Sequence, residues 1–166
     1  SDCLVGSEMC IRDRNILELG VYLGYSTIRI LRNLDNFSKL TSIESNKKFA
    51  EIAKEHVKIS GLSKNHELLI GKTTQIIPTL DEKFDFIFID HWKDLYLEDL
   101  KMLERKKLIK HNAWIFADNV ILFNLEDYLG YVRSSPNYQS KFISTKREYS
   151  KSHPDGIEIS IFKDEI

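Results

Sequence analysis

Phe84-Asp-Phe-Ile-Phe-Ile89 runs straight into Asp90-His-Trp-Lys-Asp94. The first six residues are too few for a helix of ordinary length. An almost wholly apolar run of this size suits a strand covered on both faces, as in the middle of a parallel sheet. The abrupt change to acid, imidazole, indole and amine then marks the strand's end. In open α/β sheets, ligands bind outside the carboxyl ends of the strands, near the point where strand order reverses. Asp90 to Asp94 are therefore the first residues to read for chemistry.

On either side of this run, short apolar segments alternate with helical periodicity, the pattern of βαβ units. Asn15-Ile-Leu-Glu-Leu19 is expected as the first strand, followed by Gly20 and a helix from about Gly24 to Leu34. Leu40–Glu44 is the second strand. Residues 46–59 form an amphipathic helix with Phe49, Ile52, Ala53, His56 and Val57 on its apolar face, and Gly61 suits its C-terminal cap. Glu67–Ile70 is the third strand, with a short helix from about Thr74 to Leu80. A helix over Leu95–Leu108, a fifth strand over Asn112–Ala117 and a helix over Leu125–Val132 follow. Lys141–Tyr149 and Ile157–Phe162 then read as two strands joined around His153-Pro-Asp-Gly156. The expected class is α/β, a Rossmann-like doubly wound and mostly parallel sheet closed by a C-terminal antiparallel hairpin.

The chain has 166 residues, one domain's worth, with 42% hydrophobic and 30% charged side chains. Its net charge of −1 argues against binding nucleic acid by counterion release. The basic stretch Lys47-Lys-Phe-Ala-Glu-Ile-Ala-Lys-Glu-His-Val-Lys58 reads as the solvated side of its helix. No run of 18 apolar residues exists to span a membrane. Cys3 and Cys10 form neither a disulfide framework nor a zinc set, which suits a reducing compartment. A cytoplasmic monomer is expected, with a membrane anchor only in a longer form. Residues 1–14, Ser-Asp-Cys-Leu-Val-Gly-Ser-Glu-Met-Cys-Ile-Arg-Asp-Arg, show no periodicity. They are expected to lie outside the domain of residues 15–166, as a translated adapter scar or a disordered arm.

Three strand ends carry polar groups with a shared logic. Glu18-Leu-Gly20-Val-Tyr-Leu-Gly24-Tyr-Ser26 lacks the GxGxxG spacing of a dinucleotide site, yet Gly20 permits a sharp turn and Gly24 opens a helix whose amides can receive a carboxylate. Glu44, at the end of the second strand, can accept both hydroxyls of a ribose. The third strand ends in Gly71-Lys-Thr73-Thr74, small residues able to border an adenine. Asp90, Asp118 and Asn119 leave neighbouring strands as hard oxygen donors suited to Mg²⁺. A capping acid and a turn asparagine are the plainer alternative. Asp90 and Lys93, three residues apart, face the same space on a helical turn.

Phe88-Ile-Asp-His-Trp-Lys-Asp-Leu-Tyr-Leu97, Ala117-Asp-Asn-Val-Ile121 and Glu18-Leu-Gly-Val-Tyr-Leu-Gly-Tyr-Ser26, in this order and spacing, resemble catechol O-methyltransferases, from about Asn15 to the C-terminus. The resemblance implies S-adenosylmethionine and Mg²⁺ as cofactors and a small-molecule catechol as substrate. By motif, Glu18, Gly20, Tyr22, Ser26 and Glu44 would bind the cofactor's methionine and ribose parts. Gly71, Thr73 and Thr74, which stand where the family has Ser-Gln, would border its adenine, flanked by His91 and Trp92. Asp90, Asp118 and Asn119 would hold the metal, Asp90 also meeting the cofactor. Lys93 would be the base. Glu148, in Arg147-Glu-Tyr149 before Asp155-Gly-Ile-Glu158, would hold the second catechol hydroxyl beside Asp90, Lys93 and Asn119.

Two departures stand out. Nothing before Asn15 resembles the family's capping helices, and Leu122-Phe123-Asn124 replaces its proline-bearing loop. The implied reaction is in-line methyl transfer to one hydroxyl of an aromatic vicinal diol. The competing expectation is a catalytically impaired, partner-binding or trafficking factor, since the resemblance extends to a transmembrane relative.

Overall fold

The strands form where β-branched and aromatic side chains can be covered on both sides. A computed structural model of the chain describes residues 14–146 and 154–163. In chain order the elements are β1 (Asn15–Leu19), α1 (Tyr25–Leu31), β2 (Lys39–Glu44), α2 (Lys47–Ile59), β3 (His66–Ile70), α3 (Thr73–Ile76), β4 (Phe84–Ile89), α4 (Tyr96–Arg105), β5 (Ile109–Ala117), α5 (Glu126–Ser134), β6 (Tyr138–Lys146) and β7 (Pro154–Phe162). They build one seven-stranded sheet in the order β3-β2-β1-β4-β5-β7-β6. β1 to β5 run parallel, while β7 lies antiparallel to both β5 and β6. The expected α/β architecture and C-terminal antiparallel hairpin are both present.

Strand order reverses between β1 and β4, so the connections leaving these two strands diverge and open a crevice at their carboxyl ends. Leu17, Leu19, Ile87, Ile89 and Ile115 pack in the core with Leu100 and Leu103 of α4 and Tyr128 and Val132 of α5. A second cluster joins Ile16, Leu31, Leu40 and Val57. No described helix is long and apolar enough to cross a membrane.

Several expected details need correction. Only Ala50, Ala53 and Val57 of α2 are buried, and Ile52 and His56 lie exposed. Small residues bring α2 close to the start of α1, where a Cβ on Gly24 would meet the Ala53 Cβ at 3.2 Å. That tight seat leaves no room for a broad apolar face. Gly61 does end α2, donating to Lys58 while Leu62 N–H returns to Val57, a Schellman closure. α4 stops at Arg105, short of Leu108, because Lys107 turns left-handed (φ 55) and Leu108 N–H returns to Leu103. β5 begins earlier than expected, at Ile109. A bulge around left-handed Asn112 (φ 61) lets Phe84 face Ile109 while Phe86 faces Trp114. β6 likewise starts at Tyr138, whose buried ring packs against Tyr131 and Phe162.

Candidate active site

Lys93 lies four residues past the end of β4 and opens a 3₁₀ turn, Lys93–Leu95, that leads into α4. That turn carries its amine back across the strand ends. Lys93 Nζ donates to Asp90 Oδ1 at 2.7 Å, Tyr96 OH at 2.6 Å and Asn119 Oδ1 at 3.1 Å. The lysine side chain is 16% exposed and Asp90 34%, so the cation is shielded while the acid faces the crevice. The rings of Tyr96 and Phe123 lie 4.9 Å and 5.4 Å from the same nitrogen. Tyr96 OH donates in turn to the Asp118 carbonyl at 3.1 Å. Burial first, then the charges of Asp90 and Asp118, hold that phenol well above its usual range, so it remains a hydroxyl.

Asp118 leaves β5 beside Asp90. Burial raises the pKa of its carboxyl, and the Asp90 charge raises it further. Its Oδ1 accepts the Asn119 N–H at 2.8 Å. Asn119 is left-handed (φ 56), and its Nδ2 donates to Asp155 Oδ2 at 2.9 Å, which leaves Oδ1 turned to Lys93. Two mutually repelling carboxylates and an oriented amide oxygen suit a hard dication. Among the described residues no group of three or more His, Cys, Asp and Glu side chains is placed to hold a metal ion. Asp90, Lys93, Asp118 and Asn119 are brought together as expected, while Glu148 lies outside the described residues. Glu158, on β7 opposite Ala117, is fully buried and bonded twice to Arg133, at 2.8 and 2.7 Å.

The neighbouring crevice begins at the turn after β1. Gly20, Tyr22 and Gly24 all have positive φ (92, 51 and 88), so the loop coils tightly against β2 and β4. Glu44 Oε2 accepts Val21 N–H at 3.1 Å and Tyr22 N–H at 2.9 Å, while Oε1 accepts Asn46 N–H at 2.8 Å. Both lone pairs of Oε2 are taken by these amides, while Oε1 keeps acceptor capacity for a hydroxyl. Gly71 N–H bonds to the Glu44 carbonyl at 2.9 Å. Thr73 is buried and its Oγ1 has no partner, while Thr74 is exposed. A buried hydroxyl without a partner suits a ligand that supplies one. Trp92, after β4, is 72% exposed, its Nε1 donating to Asp94 at 3.2 Å.

Two expected cofactor contacts are placed differently. Glu18 is 0% exposed, beneath the turn, where it accepts from Ser26 at 2.6 Å, Thr27 at 2.8 Å and Ser42 at 2.6 Å. Burial raises its pKa and these hydroxyls lower it. Its reach toward the crevice runs through Ser26. His91 is folded inward, with Nε2 at 2.7 Å from Asp99 Oδ2 and its ring stacked on Tyr96. A buried carboxylate on α4 draws the imidazole away from the crevice.

Glu44→Ala is expected to weaken cofactor binding by about 1.5–3 kcal/mol, the worth of hydrogen bonds to a charged group. It should also lower stability by about 1–3 kcal/mol, because loop amides lose their acceptor. Calorimetry with S-adenosylhomocysteine and urea unfolding check the two parts, and unchanged affinity would remove Glu44 from the site.

Tyr96, Asp99 and Asp155 escaped the sequence reading. Tyr96 and Asp99 sit three residues apart on α4, and a buried acid on a helix face is the signal that could have exposed them. Asp155 was masked by an Asp-Gly pair that reads as a turn.

The sequence and fold have known relatives. The sequence model of the O-methyltransferase family matches residues 9–145, beginning ahead of β1. The chain belongs to the O-methyltransferase family. It is 37% identical to catechol O-methyltransferase B of Danio rerio over 166 residues, which cover 96% of this chain and 62% of that protein. It is also 37% identical to catechol O-methyltransferase of Sus scrofa, covering 89% of this chain and 82% of the relative. This family member thus spans less than two thirds of the zebrafish protein's length. Among solved structures, the O-methyltransferase TomG of Streptomyces achromogenes, in complex with S-adenosylmethionine, superposes with a TM-score of 0.82 at 25% identity. That match covers 91% of this chain and 74% of TomG.

Proposed function

We propose that this chain carries the catalytic machinery for Mg²⁺-dependent methyl transfer from S-adenosylmethionine to one hydroxyl of a catechol. The observation behind this reading is the convergence of Asp90 and Asn119 oxygens on the Lys93 amine, beside the turn clamped by Glu44. S-adenosylmethionine supplies an electrophilic methyl group, and Mg²⁺ supplies Lewis acidity that makes an acceptor hydroxyl easier to deprotonate. Asp90, Asp118 and Asn119 would hold the metal. Glu44, Thr73 and the Gly20–Gly24 turn would hold the methyl donor, with Trp92 as an exposed wall.

In its neutral form, with its third proton given up to solvent, Lys93 would take the hydroxyl proton as the oxygen is methylated. Its amine stands on the short 3₁₀ turn Lys93–Leu95, beside Asp90 and Asn119. Asp155 keeps the Asn119 amide oxygen facing inward. Phe123, 53% exposed beside Lys93, offers an aromatic ring a stacking surface. Aligning donor and acceptor in one crevice removes much of the entropic barrier.

The test is methyl transfer to a vicinal diphenol and to a monophenol, with and without a chelator. Transfer to the diphenol alone, abolished by the chelator and restored by Mg²⁺, is the expected result. Chelator-resistant transfer to a monophenol would overturn the catechol assignment. A chain that folds but binds no S-adenosylmethionine would leave the partner-binding reading.

A further inference from the structure

We propose that Tyr96 is a positioning residue that retains Lys93 when a metal ion takes the oxygens the lysine shares. The inference rests on the assignment of Asp90 and Asn119 as metal ligands. A lysine ammonium has three donor positions, and here all three are used, on Asp90, Asn119 and Tyr96. Two of those acceptors belong to the proposed metal set. An ammonium and a dication a few ångströms apart repel strongly in a shielded site, so a bound cation requires Lys93 to release both. Tyr96 OH is the acceptor that remains.

The phenol is built to keep still. Its ring is fully buried, stacked on His91 at 5.2 Å with planes 10° apart, and met edge-on by Tyr128 at 5.8 Å. His91 is itself fixed by the fully buried Asp99 at 2.7 Å. The Tyr96 proton is committed to the Asp118 carbonyl, so the lone pairs of its oxygen are left for the lysine. Lys93, Tyr96 and Asp99 follow at three-residue steps, which places them along one side of the helix start. Lys93 therefore pivots about Tyr96 and stays at the acceptor's edge, rather than swinging into solvent.

Calorimetric Mg²⁺ titration of four chains tests this: the parent, Tyr96→Phe, Lys93→Met and the double variant. Lys93→Met should bind Mg²⁺ at least about tenfold more tightly, since the competing ammonium is gone. Tyr96→Phe should bind about tenfold more weakly, because without metal Lys93 still keeps Asp90 and Asn119 as acceptors, whereas with metal bound it is left with none. In the Lys93→Met background the same Tyr96 change should have no effect. A hydroxyl that merely braces the Asp118 carbonyl would weaken Mg²⁺ binding equally in both backgrounds, and that outcome overturns the proposal. In turnover, Tyr96→Phe should lower kcat with the catechol KM unchanged, and a loss confined to KM also overturns it. If Tyr96→Phe does not fold, Lys93→Met alone decides, since unchanged or weaker Mg²⁺ affinity removes the competition. A parent chain that binds no Mg²⁺ overturns the proposed function as well, whereas binding without coupling overturns only the role of Tyr96.

Discussion

Replacing Lys93 by methionine is expected to slow methyl transfer by about 10²–10⁴-fold, the usual contribution of a positioned general base. Affinity for S-adenosylhomocysteine should stay near the parent value. Lys93 bonds to Asp90, Asn119 and Tyr96 and to none of Glu44, Ser26 or Thr73. Its loss is therefore felt by the proton to be removed and by the metal oxygens, not by the methyl donor. Single-turnover transfer to a vicinal diphenol, at saturating Mg²⁺, separates these effects. Activity within tenfold of the parent would mean that another group takes the proton.

The second large effect is expected at Gly20. A Cβ there would lie 2.4 Å from the Asp90 carbonyl oxygen, 2.7 Å from its carbon and 2.8 Å from the His91 Cα, and the backbone sits at φ +92. Left-handed backbone costs an L-residue roughly 1–2 kcal/mol, and forced overpacking roughly 1–3 more. Gly20→Ala should therefore lose about 2–5 kcal/mol in urea unfolding. The obstacle is backbone, which cannot rotate aside, and it is the segment that carries Asp90 and His91. Chains that still fold should bind both Mg²⁺ and S-adenosylhomocysteine more weakly, because the turn and the β4 exit are forced apart. A loss below about 1 kcal/mol with unchanged binding would show that this approach is not tight.

Strand positions were legible because Ile16 to Leu19 and Phe84 to Ile89 have no alternative to double-sided burial. Asp90, Asp118 and Asn119 were legible for a related reason: polar residues directly after apolar strands must emerge at one end of a parallel sheet. What could not be read were contacts set by packing distance. The α2 face narrowed to Ala50, Ala53 and Val57 because α1 comes within reach of Ala53 at Gly24, a closeness no periodicity encodes. Glu18 reads as a ligand of the crevice by motif, one residue before the end of β1. Alternation along β1 instead turns it onto Ser26, Thr27 and Ser42. His91 was drawn inward by Asp99, eight residues on, and Asn119 was fixed by Asp155, thirty-six residues on. Pairings at such separations come from the closed sheet, not from local spacing.

β7 is made after every other described strand, yet it lies inside the sheet between β5 and β6. Until residues 154–162 are made, β5 presents an open edge and β6 lacks the strand it pairs with. Nascent chains, or chains cut short before β7, therefore carry unpaired strand edges that can capture other chains, a hazard that lasts until β7 is made. β7 also brings Asp155 to the Asn119 amide. Final orientation of that oxygen thus waits on the same insertion, so the maturation of the site is timed by the closure of the sheet.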